Sequence, residues 1–220
     1  MREAYREQLD DITGRLVGMT RKAGEQIRTA TAALLGADLE LAEQVVAADS
    51  GMNRDQLEID EQVLELMATQ GPVASELRVV TSALRTTSDA ERMGDLAVHV
   101  AKVARMRYPD NAVPEDLRDT FAAMGRTAED MATKAGAVLR SRDLSTAAEL
   151  AFDDNEMDQL HRSLFQALLD DWDRGIEAAV DIALLGRYYE RFADHAVEIS
   201  TNVRYLVTGE IEWADTAPGR

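Results

Sequence analysis

The sequence predicts an all-α fold: six long helices arranged as two pseudo-symmetric three-helix bundles with spectrin-like packing. Three observations lead there. The stretch Glu190-Arg-Phe-Ala-Asp-His-Ala-Val-Glu198 has a near-copy 99 residues earlier, Glu91-Arg-Met-Gly-Asp-Leu-Ala-Val-His99, and both read E-R-x-[GA]-D-x-A-V. Only 4 prolines interrupt 220 residues rich in Ala, Leu, Glu, Arg and Met, a composition that favours helix throughout. The turn signals also divide the chain so that one three-helix pattern is followed by another.

Taken in order, Leu9, Ile12, Leu16, Met19, Ala23, Ile27, Ala30 and Leu34 recur at helical spacing and predict a first helix over about residues 2–35, with Gly36 as its C-cap. Asp38 is placed to cap a second helix carrying Leu41, Val45 and Val46. Asp49-Ser50-Gly51 reads as a kink or short break, after which the pattern resumes from Leu57 to Gln70. Gly71-Pro72 is a firm stop, and a third helix follows over about residues 72–107. Tyr108–Pro114 holds two prolines and is the clearest linker. The pattern then restarts: a helix over about 115–140, a turn at Ser141-Arg142-Asp143, a helix over about 144–172, a break at Asp173-Arg174-Gly175, and a last helix over about 176–207. This gives a first bundle at 1–108, a linker at 109–114, a second bundle at 115–209 and a frayed tail at 210–220.

The halves align internally. Asp38-Leu39 matches Asp143-Leu144, and Asp55-Gln56-Leu57 matches Asp158-Gln159-Leu160 at an offset of 103, which falls to 99 at the acidic motifs. A four-residue difference is about one helical turn, which a helix absorbs without rotating its buried face.

Composition bounds the function. A net charge of −17, from 24 Lys+Arg and 41 Asp+Glu, disfavours nucleic acid and anionic membranes as electrostatic partners and favours cations or basic surfaces. The absence of Cys excludes disulfides and thiolate metal sites. Apolar runs are too short to span a bilayer, and Met1–Tyr5 lacks a secretory apolar core, so the expected location is the cytoplasm. No glycine-rich phosphate loop, G-x-S-x-G or E-x-x-H di-iron signature is present, and no enzymatic activity is expected.

The candidate site is the doubled motif. Positions four apart share a helix face, so Glu91, Asp95 and His99 form one stripe and Glu190, Asp194 and Glu198 another. Stacked carboxylates repel, and a bound cation relieves that repulsion; carboxylate and imidazole suit Mg, Mn, Fe or Zn. The His99 stripe leans toward Zn or Fe, the Glu198 stripe toward Mg, Mn or Fe. The plainer reading is a solvated acidic face, or acids paired with Arg92, Arg191 or Arg187. Asp89 reads as a surface partner of Arg92. His195, one position past Asp194, is expected either behind the stripe, supporting its ligands, or at an interface between bundles. Further ligands are open between Glu58, Glu61 and Glu65 on the second helix and Glu156 and Asp158 on the fifth.

The doubled E-R-x-[GA]-D motif, the turn Gln70-Gly-Pro-Val-Ala-Ser-Glu-Leu-Arg78 and the two-fold three-helix plan together resemble the PhoU family of bacterial phosphate-signalling regulators. The segment Leu184–Glu198 resembles its actinobacterial branch. The likeness covers about residues 5–209. It implies a cytoplasmic, commonly dimeric protein that represses the phosphate-starvation regulon and phosphate uptake. It further implies a link between the ATPase subunit of the Pst phosphate transporter and a membrane-bound sensor histidine kinase, and metal bound at Glu91, Asp95, Glu190 and Asp194. The family usually has Asn where this chain has His99 and Glu198. A metal-storage or metal-dependent phosphate-sensing protein that acts alone is the competing expectation.

Overall fold

The computed structural model describes residues 2–170 and 172–210, so the tail expected at 210–220 lies outside the described residues from 211 onward. Six helices make up the fold: α1 (Arg2–Gly36), α2 (Leu39–Gln70), α3 (Ser75–Arg107), α4 (Arg118–Ser141), α5 (Leu144–Leu169) and α6 (Gly175–Thr208), with a short 3-10 turn at Glu115–Leu117 leading into α4.

The caps at Asp38, Asp143 and Gly71 are where the sequence put them. The Asp38 carboxylate accepts from the Leu41 N–H at 3.1 Å, and Asp143 from the Ser145 N–H at 2.9 Å. Gly71 closes α2 in the left-handed region at φ 55°, its N–H reaching the Met67 carbonyl. Three boundaries differ from expectation. Gly36 stays helical, and Ala37 takes the left-handed position at φ 47° while the Asp38 N–H bonds the Ala33 carbonyl. The third helix starts at Ser75 rather than Pro72, and the fifth ends at Leu169 rather than Trp172. The break expected at Asp49–Gly51 is absent: α2 runs unbroken through it. A lone glycine costs a helix only about 1 kcal/mol, and burial of Val45 and Met52 on either side offsets that.

α1 packs on α2, α3 and α4; α4 packs on α5 and α6; α3 packs on α2 and α6. The inner helices α1, α3, α6 and α4 therefore close a ring, with α2 and α5 flanking it. One apolar core runs through all six helices, with Phe121, Tyr189, Phe192, Ile27 and Met93 among its fully buried side chains.

The α1–α4 contact shows the pseudo-twofold at atomic scale. A methyl added at Gly125 would sit 2.5 Å from Thr31, and one added at Gly136 would sit 2.7 Å from the Thr20 hydroxyl. Thr20 and Gly125 are 105 residues apart, as are Thr31 and Gly136, so the two contacts exchange under the repeat. The same 105 separates Asp38 from Asp143. The offset is thus constant through the first two helices of each half, and the 103 match of Asp55 with Asp158 is incidental. The change to 99 is six residues. It equals the difference in length between α2, 32 residues, and α5, 26 residues, and it falls at the hairpin end of α2.

Candidate functional site

Each acidic motif lies on the third helix of its half, and the helix flanking it completes the site. On α3, the Glu91 side chain is 13 % exposed and Asp95 is half-buried. Burial, then the Asp95 carboxylate, push the Glu91 carboxyl above its usual range. Asp49 of α2 adds to this, while Arg92 and His195 pull the other way. Arg92 lies across the pair, 3.3 Å from Asp95 and 3.8 Å from Glu91. On α6, burial and then Asp194 push Glu190 up, with Asp158 adding, against an ion pair from Arg187. Asp154 of α5 is pushed up to about 6 by burial and by Asp158 and Asp194.

Four acids therefore gather at the second station, Asp154, Asp158, Glu190 and Asp194, and three at the first, Asp49, Glu91 and Asp95. Asp49 and Asp154 are 105 residues apart, as are Asn53 and Asp158, so each flanking helix offers an oxygen-bearing pair at i and i+4. Sequence reading found Asp158 but not Asp49 or Asp154. The constant 105 offset from the Asp38/Asp143 caps was the signal that could have found them. Of the other proposed ligands, Glu58 pairs with Arg15 at 2.7 Å, and Glu61, Glu65 and Glu156 are exposed.

The third positions of the stripes, His99 and Glu198, are both exposed. His99 stacks on Tyr188 of α6, ring centroids 5.2 Å apart. His195 sits where expected, between the halves: its Nδ1 is 3.1 Å from one Asp89 oxygen, while Asn202 donates to the other at 3.1 Å. This corrects the assignment of Asp89 to Arg92: Asp89 ties α3 to α6, and Arg92 turns to Asp95 and Glu91. His161 lies against Gly186 with Nε2 buried and without a hydrogen-bond partner. Burial and Arg187 hold its pKa below the usual value.

The donors are hard oxygens, the chemistry of Mg, Mn and Fe more than of Zn. As the side chains stand, no group of three or more His, Asp or Glu among the described residues converges closely enough to hold an ion, and Arg92 and Arg187 supply the countercharge. Glu91, Glu190 and Asp154 are still pushed above their usual range, first by burial and then by the neighbouring carboxylates.

Fold and site define a class: an all-helical protein of two like halves, each presenting an acidic station where its third helix meets its second. The PhoU domain model matches residues 16–104 and 121–203, and the chain belongs to the PhoU family. It is 46% identical over 220 residues to a phosphate-specific transport system accessory protein PhoU homolog 1 of Mycobacterium leprae, covering 100% of this chain and 99% of that one. A PhoU homolog 2 of Mycobacterium tuberculosis is 46% identical over 210 residues, 95% of this chain and 99% of that one. Among solved structures, PhoU from Streptococcus pneumoniae, described as a phosphate transport system regulatory protein, superposes with a TM-score of 0.85 at 27% identity, covering 94% of this chain and 98% of that one. PhoU from Pseudomonas aeruginosa gives 0.82 at 29% identity over 94% and 100%.

Proposed function

We propose that this chain is an accessory protein of the phosphate-specific transport system that restrains phosphate uptake and the phosphate regulon when phosphate is plentiful. In this reading it acts in the cytoplasm, as a homodimer, without catalysing a reaction. It is a metal-binding adaptor between the transporter's ATPase subunit and a sensor histidine kinase. No described helix is long and apolar enough to cross a membrane, which suits a protein that reaches the membrane through partners. The relatives named as phosphate-transport accessory proteins match essentially end to end, so whatever they present, this chain has the length to present.

The observation that carries the metal part is the crowding of like charge at both stations, where Glu91, Glu190 and Asp154 are all pushed upward by burial and by neighbouring carboxylates. A divalent or trivalent cation would be held by Asp49, Glu91 and Asp95 at one station and by Asp154, Asp158, Glu190 and Asp194 at the other, once Arg92 and Arg187 swing outward. When bound it would supply positive charge that fixes α2 to α3 and α5 to α6, so that partner faces stand in one arrangement.

The test is repression of a phosphate-regulon reporter in a strain lacking its own copy of the gene. Wild type should restore repression in high phosphate, and Asp95→Ala/Asp194→Ala should leave the reporter on. Full repression by the double variant would remove metal from the mechanism. Many metal ions per chain, with no effect on the reporter, would favour a storage protein acting alone.

A further inference from the structure

The repeat supplies an internal control for the surface, and one hairpin fails it. In the first half, the start of α3 is flanked by the last turns of α2, residues 65–70, where Leu66 is 2 % exposed. α5 lacks those six residues, and the start of α6 is correspondingly bare. Ile176, equivalent to Leu77 at the 99 offset, is 84 % exposed against 40 %. Ala179 is half-exposed where its equivalent, Val80, is fully buried. The result is a groove of about 410 Å³ between the end of α5 and the start of α6, lined by Leu168, Trp172, Ile176, Ala179, Val180 and Ala183.

The composition of this face is not what exposure alone would select. Val180 and Leu184, 50 % and 43 % exposed, stand where the first half has Thr81 and Arg85, and exposed Phe165 stands where it has Asp60. Ile176, Val180 and Leu184 repeat at i, i+4 and i+8 and so form one stripe along α6. Beside them, exposed Phe165 and Leu169 are four apart on α5. Scattered apolar residues need no explanation, but a contiguous strip with a groove beside it does.

Charge borders the strip at both ends. At the hairpin Asp170 and Asp173 are exposed, while Arg174 lies over the Trp172 ring, 5.1 Å from its centroid, and is paired with Asp116 at 3.0 Å. At the other end Phe165 contacts His161, ring centroids 5.0 Å apart, and His161 leads to the acidic station of Asp158 and Asp194.

We infer that the α5–α6 groove docks an amphipathic helix of a partner protein, its apolar residues filling the place that the end of α2 fills in the first half and its Lys or Arg residues meeting the acidic borders. This is helix-in-groove recognition, read by anchors at i, i+3, i+4 and i+7. A second copy docked through the same strip fits the charge poorly, because it would set Asp170 and Asp173 against their own counterparts. The inference deepens the adaptor reading and rests on it for the existence of a partner, though not for the groove.

The experiment uses the full chain with Trp213→Phe, which leaves Trp172 as the reporter. The probe is a helix-stapled peptide of the 57–70 sequence carrying Glu58→Lys, Glu61→Lys and Glu65→Lys, with the unsubstituted acidic peptide as control. The lysine peptide should shift Trp172 emission saturably, the acidic peptide should bind about tenfold more weakly, and Val180→Thr/Leu184→Gln should weaken the lysine peptide about tenfold at unchanged helicity and melting temperature. No saturable binding, or binding indifferent to Val180→Thr/Leu184→Gln, overturns the inference. So does sedimentation showing a wild-type dimer that Val180→Thr/Leu184→Gln converts to monomer, since the occupant would then be a second copy. The regulon reporter reads separately: peptide binding with a reporter indifferent to the whole protein would retain the groove and reject the adaptor.

Discussion

At the scale of single residues, Asp154 concentrates the tension of the site. An unfolded aspartate titrates near ~3.9, whereas Asp154 in the fold is pushed up to about 6. In that window the folded chain holds a proton that the unfolded chain has lost. The group's unfavourable contribution is thus fully present above about pH 6 and fades as pH falls toward ~4. Without metal, Asp154→Asn should therefore raise the melting temperature at pH 7, raise it by about half as much at pH 5, and change it little at pH 4. After solvent screening at a partly exposed site the gain is about 1 kcal/mol, or roughly 2–4 °C, measured by calorimetry in chelator. A second residue-scale expectation concerns Asp89. Asp89→Ala removes the acceptor for both His195 and Asn202 across the α3–α6 contact and should cost about 1–3 kcal/mol in urea unfolding. Loss of only a few tenths would show that the junction is incidental. Asp89's partners could not be read from the sequence, because i+3 and i+4 spacing reports neighbours on one helix and is silent about the helix opposite; Asp49 was readable only through the 105-residue offset of the repeat.

At the scale of elements, the sequence was most legible where local chemistry decides. Asp38 and Asp143 cap their helices, and Gly71 ends α2 in the left-handed conformation that its lack of a side chain permits. It was least legible where tertiary burial overrides a local signal, as at Asp49-Ser50-Gly51. It was also silent about glycines whose purpose is contact. Gly125 and Gly136 look like weak points in α4, yet they let α1 approach, with Thr31 also bonded to the buried Tyr189 hydroxyl at 2.7 Å. Gly125→Ala should cost about 1–3 kcal/mol by forcing Thr31 aside, and Thr31→Ala in the same protein should recover part of that. A Gly125→Ala protein as stable as wild type would mean that the α1–α4 crossing adjusts more freely than its spacing indicates.

At the scale of the whole molecule, the doubled motif made the architecture legible, since two like acidic helices at a fixed offset imply two like halves. It did not reveal that α1, α3, α4 and α6 share one ring and one core, because sequence periodicity shows which face is buried and not what covers it. The same limit applied to the site: the α3 and α6 acids were readable, while Asp49 of the first station lies on α2, and Asp154 and Asp158 of the second lie on α5. The shared core ties the stations together mechanically, so a cation at one end should stabilise the entire chain. Millimolar Mn²⁺ or Mg²⁺ at pH 7 should raise the melting temperature of wild type, by about 2–4 °C per kcal/mol of binding, and leave Asp95→Ala/Asp194→Ala unmoved.

The most direct measurement is elemental analysis of the purified protein beside Asp95→Ala/Asp194→Ala, each as isolated and after reconstitution with Fe, Mn, Mg and Zn, with mass determined in parallel. Metal in wild type that disappears in the double variant is the expected result, and it names the ion. Wild type free of metal after reconstitution would contradict it, and both stations would then be acidic helix faces balanced by Arg92 and Arg187 alone.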